Sequence, residues 1–361
     1  MRVINLKSSI LIIIKLTNYW SAVVSRSKWL IRNRNTLRLI LHPRLHAHQH
    51  TLFGIVAILL WGSLMALTRR VAEEFSPIGG AALIYTVSSV FLLFTMGLPR
   101  LKTGSMRYVL IGGALFVSYE ICLALALGMA NDRLQAIEMS VINYLWPALT
   151  VLIAVLISQR AVNLWVYPSV ALAFAGVAWT IVAEQGIALS DFTARVATNP
   201  AVYAMALSGA FIWAIYCNVT QRLAQGQNAI VLFFAATAAT LWIQYAVSDE
   251  PALSFSVSGV ATLLLTGMVM GSGYALWNVA ILRGNMLLLA TLSYFTPVIS
   301  TIFSSLILGV VLGLNFWQGV VMVTLGSLLC WWATRHSASA EQDVGSAHLN
   351  HDATDQASQS N

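Results

Sequence analysis

An internal repeat constrains the fold of this chain more than any other feature. Residues 143–148 (NYLWPA) return roughly 150 residues later as residues 293–298 (SYFTPV), and the pattern of residues 53–61 returns around residues 209–213. Each copy holds five long apolar segments. Because five is odd, successive copies must enter a membrane from opposite sides. The sequence therefore predicts two inverted five-helix repeats, an arrangement typical of transporters that bind substrate near the bilayer midplane.

The apolar segments are long enough to cross a membrane. Apolar residues make up 58% of the chain and charged residues 9%, against about 25% charged residues in soluble domains. About 20 helical residues span the hydrocarbon layer, where unpaired backbone groups are costly. We therefore predict an all-α polytopic membrane protein with ten transmembrane helices. Their predicted ranges are 52–68, 77–98, 106–129, 134–158, 163–182, 200–221, 227–247, 257–282, 285–312 and 315–334.

The segments divide the chain into four predicted parts. Residues 51–184 form the first repeat with helices one to five, and residues 200–336 form the second with helices six to ten. Residues 1–50 contain nine Lys and Arg and no acidic residue, which predicts a disordered basic extension, with an overlong translation start as the alternative. Residues 337–361 are rich in Ser, Ala, Asp and Gln and are predicted to be a disordered tail.

The distribution of charge argues against a nucleic-acid partner and predicts an orientation. The net charge is +7, but its excess lies in residues 1–50, and the transmembrane body is close to neutral. Basic residues favour cytoplasmic loops, so both termini are predicted to be cytoplasmic. The loops predicted to be inside carry Arg100, Lys102, Arg107, Arg160, Arg222, Arg283 and Arg335, and those outside carry Arg69, Arg70, Arg133 and Arg195.

The membrane body offers no recognisable enzyme site. Every His lies outside the ten segments, and Cys122, Cys217 and Cys330 lie within them without a CxxC spacing. A metal site needs clustered His, Cys or carboxylate ligands, and no GxxxxGK[ST] phosphate loop is present. We therefore predict no enzymatic activity, no metal and no cofactor.

Polar and aromatic residues share helix faces inside the segments. Asn143 and Trp146 are spaced at i and i+3 in the fourth segment, and Tyr274 is followed on the same face by Trp277 and Asn278 in the eighth. Such faces can line a cavity. The alternatives are lipid-facing rings and Asn side chains that bond neighbouring helices. The predicted substrate-binding residues are Trp61, Tyr85, Tyr119, Glu120, Asn143, Trp146, Trp213, Tyr216, Tyr274, Trp277, Asn278 and Tyr294.

Glu120 and two prolines complete the predicted site. Glu120 lies deep in the third segment, where a carboxylate is expensive unless it faces water or a partner. It is predicted to hold a substrate ammonium or to exchange protons. The alternative is a structural group hydrogen-bonded to Tyr or Ser hydroxyls, in which a protonated carboxyl donates a hydrogen bond between helices. Pro147 and Pro297 each free a backbone carbonyl one turn earlier. They are predicted to be hinges beside the cavity, with a packing kink as the alternative.

Five local strings resemble a known family. They are residues 118–125 (SYEICLAL), 143–147 (NYLWP), 277–282 (WNVAIL), 293–298 (SYFTPV) and 326–331 (GSLLCW). They resemble the aromatic amino acid exporters of the YddG type, drug/metabolite transporters built from two EamA-type repeats. The likeness covers about residues 51–336. It implies ten helices, cytoplasmic termini, a central cavity lined by both repeats, and export of aromatic amino acids across a bacterial inner membrane.

These observations together predict an inner-membrane exporter of aromatic amino acids (Phe, Tyr and Trp) and related small metabolites, working by alternating access. Membrane lipid and the small-molecule substrate are the expected partners, and the proton is a candidate coupling ion. A cavity of Trp and Tyr suits aromatic solutes through offset stacking. It also suits flat drug cations, so a multidrug or generic metabolite exporter is the alternative. A non-transporting membrane scaffold or receptor is the second alternative.

Overall fold

The described part of the protein is helical. The computed structural model describes residues 43–99, 106–158, 164–182, 189–224, 227–283, 289 and 292–333. The helices are α1 (Pro43–Glu74), α2 (Pro77–Met96), α3 (Gly113–Gly128), α4 (Arg133–Asn143), α5 (Trp146–Ser158), α6 (Val166–Val182), α7 (Leu189–Ala197), α8 (Pro200–Leu223), α9 (Ile230–Ala246), α10 (Val257–Arg283), α11 (Thr296–Leu308) and α12 (Leu314–Ala333). A π-helical turn, Tyr108–Gly112, precedes α3.

Many of these helices have the length and composition of membrane spans. Seven helical stretches are long and apolar enough to cross a bilayer. They are His50–Glu74, Pro77–Met96, Tyr108–Gly128 (the π-helical turn with α3), Arg133–Ile157 (α4 with α5), Pro200–Thr220, Val257–Trp277 and Leu314–Ala333. Three shorter apolar helices, α6, α9 and α11, accompany them. The described ranges contain no β-strand. These features agree with the predicted polytopic helical membrane protein.

Two boundaries differ from those expected from the sequence. Helix α1 begins at Pro43, ahead of the expected boundary at residue 51. The fourth predicted segment is divided into α4 and α5 by the pair Tyr144–Leu145, because Pro147 has no N–H to continue the helical hydrogen bonds. Residues 1–42 and the predicted tail, residues 337–361, lie outside the described residues.

Acidic side chains cap two of these helices, Glu250 from a distant part of the sequence and Asp132 from the position directly before its helix. The Glu250 carboxylate accepts hydrogen bonds from the backbone N–H groups of Ile78 and Gly79 at 2.9 and 3.0 Å. It thereby satisfies donors at the N-terminus of α2 that have no partner within the helix. At α4, Asp132 accepts from the Gln135 N–H at 2.6 Å. Both caps fix where a helix begins.

The most extensive packing brings helices of the two predicted repeats together. Helix α2 packs on α9 and α10, and α3 packs on α8 and α9. Small residues allow close approach elsewhere. A Cβ atom added to Gly176 of α6 would lie 2.7 Å from the carbonyl oxygen of Gly319 in α12. Such contacts are typical of membrane helices, where packing rather than the hydrophobic effect drives association.

Candidate functional site

A buried carboxylate forms the centre of the candidate site. Glu120 lies in α3 with 3% of its surface exposed. Its Oε2 accepts a hydrogen bond of 2.5 Å from the Tyr85 hydroxyl of α2, and its Oε1 accepts one of 2.6 Å from the Tyr274 hydroxyl of α10. A carboxylate away from water needs such donors. Glu120 therefore joins three helices through two phenols.

Aromatic side chains surround this carboxylate. We call them the aromatic cluster: Trp61, Tyr85, Phe116, Tyr119, Trp146, Trp213, Tyr216, Phe234, Tyr274 and Trp277. The ring centroids of Tyr119 and Trp213 lie 4.4 Å apart, and Trp213 stacks on Tyr216 at 4.9 Å. On the other side, Trp61 lies 5.0 Å from Trp277. These separations are in or near the range of favourable ring contacts.

Sequence reasoning missed two members of the aromatic cluster, Phe116 and Phe234. Phe116 is fully buried and its ring contacts those of Trp213, Tyr216 and Tyr274 at centroid distances of 6.1, 5.6 and 6.0 Å. Phe116 lies four residues before Glu120 in α3 and so shares its helix face. This spacing could have indicated Phe116 from the sequence. A Phe has no polar group, however, so it does not stand out among the other apolar residues of the segment.

Asn143 brings an amide to the edge of the cluster. Its side chain is 1% exposed, and its Nδ2 donates to the Tyr119 hydroxyl at 3.4 Å. Its Oδ1 is buried without a hydrogen-bond partner. The indole N–H of Trp61 is likewise buried without a partner. The cluster thus contains unsatisfied polar atoms that can bind a polar solute.

The two prolines occupy matching places. Pro147 is the second residue of α5, directly after the break at Tyr144–Leu145. Pro297 is the second residue of α11, directly after a turn at residues 294–295. Proline fits the first turn of a helix because that turn needs no N–H donor. Their assignment as hinges stays a prediction.

Of the remaining predicted site residues, Tyr294 is described outside the cluster, and the side chain of Asn278 is not described. The Tyr294 ring contacts that of Trp331 in α12, with centroids 6.1 Å apart. Asn278 belongs to α10, but its side chain lies outside the described part of the structure. Among the described residues, no group of three or more His, Cys, Asp or Glu could hold a metal ion.

Ion pairs tie the helices together at the end where α1 finishes and α4 begins, which we call the Glu73 end. Arg133 forms a bidentate salt bridge with Glu73, in which Nε donates to Oε1 at 2.9 Å and NH2 donates to Oε2 at 2.7 Å. Its NH1 also donates to the Leu308 carbonyl at the end of α11. Arg69 donates to the carbonyls of Gly128 and Ala130, closing the C-terminus of α3.

A second ion pair at the Glu73 end is more deeply buried. Arg195 of α7 lies 3.1 Å from the carboxylate of Glu138, which is 2% exposed. The Tyr203 hydroxyl of α8 donates to the same carboxylate at 2.5 Å. Burial alone would lower the pKa of Arg195, but the neighbouring Glu138 carboxylate keeps this pKa above its ordinary value. The Glu138 carboxylate therefore links α4 to α7 through Arg195 and to α8 through Tyr203.

Comparison with known proteins identifies similar chains. The model of the EamA-like transporter family matches residues 201–332. The aromatic amino acid exporter YddG of Salmonella typhimurium is 47% identical over 285 residues, which is 79% of this chain and 97% of that protein. YddG of Escherichia coli is 45% identical over the same shares, and YddG of Ancylobacter novellus is 30% identical over 70% of this chain and 86% of its own.

A solved structure matches the fold as well. A crystal structure of a protein 25% identical to this chain aligns with a TM-score of 0.57, covering 80% of this chain and 97% of that one. The likeness to the three exporters and to this fold extends over most of the chain.

Proposed function

Because the chain belongs to the YddG group of the EamA-like transporter family, we propose that it exports aromatic amino acids across the bacterial inner membrane by alternating access. The family consists of transporters, so the protein is not an enzyme. The observation that carries the proposal is the buried Glu120 carboxylate inside a cluster of aromatic rings. An aromatic amino acid fits such a site because its ammonium group can pair with the carboxylate and its ring can stack on the aromatic rings.

The substrate roles follow from the geometry of the cluster. Glu120 binds the substrate ammonium, with the Tyr85 and Tyr274 hydroxyls holding its carboxylate in place. The indoles of Trp146 and Trp213, which meet edge to face at 6.4 Å, stack on the substrate ring. Charge-assisted hydrogen bonds are roughly twice as strong as neutral ones, so Glu120 contributes most to affinity for the ammonium.

The proposed architecture has ten crossings in two inverted repeats, residues 51–184 and 200–336, with both termini cytoplasmic. Three shorter apolar helices besides the seven long ones support the count. The packing supports the inversion: Trp61 of α1 contacts rings of α10, just as Trp213 of α8 contacts rings of α3. An experimental structure in which the halves do not superpose by rotation of about 180° about an in-plane axis would contradict it.

Alternating access is proposed to use the breaks at Pro147 and Pro297 as hinges. Helix interruptions near the midplane are where the two halves of such transporters pivot and bind their cargo. The ion pairs at the Glu73 end close the predicted outer side in this conformation, since Arg133 spans from α1 to α11. Opening on that side requires these contacts to separate.

Transport by the purified protein tests the proposal. The protein is reconstituted into liposomes loaded with unlabelled Phe, and uptake of labelled Phe, Tyr and Trp is followed by counterflow. Saturable exchange of these three, unaffected by aliphatic amino acids, is expected. Exchange of flat drug cations without amino acids would favour the multidrug exporter instead. Absence of any exchange by folded protein would favour the scaffold or receptor.

A further inference from the structure

Helix α11 buries its polar side chains and exposes its apolar ones. The side chains of Ser300, Thr301 and Ser304, which we call the α11 hydroxyls, are buried with at most 1% of their surface exposed. Ile302 and Leu306, on the other side of the helix, are 45% and 74% exposed. Polar residues inside membrane segments almost always face the bundle interior or a water-filled cavity. The buried face of α11 therefore has the polarity expected of a surface that contacts water or a polar solute.

The α11 hydroxyls have no hydrogen-bond partner among the residues that the structure describes. Elsewhere in the protein, helix hydroxyls donate to the carbonyl four residues earlier. Thr86 does so to Ala82, and Thr150 to Trp146, both at 2.7 Å. Buried polar groups in folded proteins nearly always have a partner, either from the protein or from water. Because the described protein supplies none in this conformation, the α11 hydroxyls remain available to water or to a solute.

Helix α4 packs against α11, and a fourth hydroxyl of this kind follows it. Tyr144 comes directly after α4 and is 3% exposed, and its hydroxyl lies beside Ser300. Neither of these two oxygens completes a hydrogen bond. Unpaired hydroxyls thus come from both sides of the contact between these helices, which we call the α4–α11 interface. A hydroxyl is both a donor and an acceptor, so it can serve the ammonium and the carboxylate of an amino acid alike.

The α4–α11 interface connects the aromatic cluster with the Glu73 end. At its inner end, Tyr144 follows Asn143, whose amide donates to Tyr119 of the cluster. At its outer end, the carbonyl of Leu308 accepts a hydrogen bond of 2.8 Å from Arg133, the first residue of α4. The α11 hydroxyls lie between these two points along α11. The interface therefore marks a route from the candidate site to the predicted outer side.

We propose that the transported amino acid leaves the aromatic cluster through the α4–α11 interface, which parts when the Arg133 contacts separate. The parted interface exposes its hydroxyls to water and so gives partners to groups that are unpaired in the closed conformation. A buried polar group without a partner bears a desolvation penalty, so this interface is easier to open than one whose hydroxyls are satisfied. The assignment rests on the proposed function and adds to it the helices and side chains that form the outer path.

Labelling of introduced cysteines measures whether the interface opens. Ser300→Cys and Ser304→Cys are made separately in a background without the native cysteines, and a membrane-impermeant thiol reagent is added outside spheroplasts. An open conformation populated at about 0.1–10% slows labelling about ten- to a thousandfold relative to an exposed thiol, which is still measurable. Both thiols should therefore react, at least about tenfold faster than a thiol whose surroundings never open.

Ser88→Cys is the matched control. Ser88 is also fully buried, but its hydroxyl lies within hydrogen-bond distance of the carbonyls of Ile84 and Gly267, at 2.8 and 3.0 Å. If Ser300→Cys and Ser304→Cys react no faster than Ser88→Cys, in protein that exchanges Phe, the path is overturned while the proposed function stands. Wild-type protein that exchanges no aromatic amino acid would instead refute the proposed function.

Ser300→Ala combined with Ser304→Ala tests the same path without a thiol reagent. The double variant removes two unpaired hydroxyls from the closed conformation, so its thermal midpoint should stay the same or rise. Counterflow of Phe should nevertheless slow severalfold, because the open path loses hydration. Ser88→Ala should lower the thermal midpoint, because its hydroxyl has partners to lose. Unchanged counterflow in the double variant, or a fall in its midpoint as large as that of Ser88→Ala, would overturn the path.

Discussion

The Glu120 carboxylate accepts a hydrogen bond of 2.6 Å from the hydroxyl of Tyr274, which lies 154 residues further along the chain. This contact joins α3, near the middle of the first predicted repeat, to α10, the corresponding helix of the second. Because the two residues belong to different repeats, a movement of one repeat against the other acts directly on this hydrogen bond. Glu120 is therefore the residue whose replacement reports most directly on coupling between the two halves.

Replacing Glu120 by Gln should slow the exchange of aromatic amino acids. The amide keeps the size of the side chain but removes the charge that attracts the ammonium, and hydrogen bonds to charged groups contribute about 1.5–3 kcal/mol. We expect counterflow of Phe to fall about tenfold or more at a fixed substrate concentration. Exchange equal to the wild type from about pH 5 to about pH 8, in folded protein, would leave Glu120 with a structural role only.

Replacing Trp146 by Ala should weaken aromatic substrates while the protein still folds. Trp146 is only partly buried, so its removal leaves a smaller gap in the core than loss of a fully buried ring would. One stacking contact contributes about 0.5–1.5 kcal/mol, which predicts a loss of affinity of about two- to tenfold. Calorimetry with Trp measures the affinity, and the thermal midpoint measures folding. A large fall in the thermal midpoint with unchanged affinity would make Trp146 a packing residue.

Replacing Arg195 by Met should destabilise the protein. It leaves the Glu138 carboxylate buried without its cation, and breaking a buried pair in this way costs about 3–5 kcal/mol. The double variant Arg195→Met with Glu138→Gln should recover much of that loss, because no buried charge remains. Chemical unfolding in detergent micelles measures both. A double variant no more stable than the single one would show that the pair is not the source of the effect.

Replacing Arg133 by Ala should favour opening at the Glu73 end. Partly exposed ion pairs contribute about 1 kcal/mol or less, so a several-fold shift is expected. In a background without the native cysteines, Leu308→Cys reports on access, since Leu308 is 2% exposed. A membrane-impermeant thiol reagent added outside should label it faster in Arg133→Ala.

The matched control for this experiment is Arg70→Ala. Arg70 also contacts Glu73, at 3.3 Å, but it has no described contact with Leu308. Labelling should therefore stay near the rate of the parent protein. Acceleration in both variants alike would attribute the effect to loss of charge near Glu73 rather than to the bridge from α1 to α11.

Composition and the repeated segments were enough to predict an all-helical membrane protein, because twenty apolar residues in lipid can satisfy their backbone only as a helix. The position of Glu120 in an apolar segment similarly predicted partners from other helices, since desolvation disfavours a lone charge. Arg69 lies on the side predicted to be outside, where basic residues are disfavoured. In the structure it bonds the carbonyls that end α3, which gives it a structural reason to lie there.

Tertiary structure decided which partners these residues have. The sequence did not single out Tyr85 and Tyr274 as the donors to Glu120, nor Phe116 as the ring that contacts both sides of the cluster. A helix that is apolar all round shows little difference between its lipid-facing and packed faces, so local periodicity does not reveal its neighbours. Contacts between helices more than a hundred residues apart depend on how the whole bundle packs, and only the assembled fold shows them.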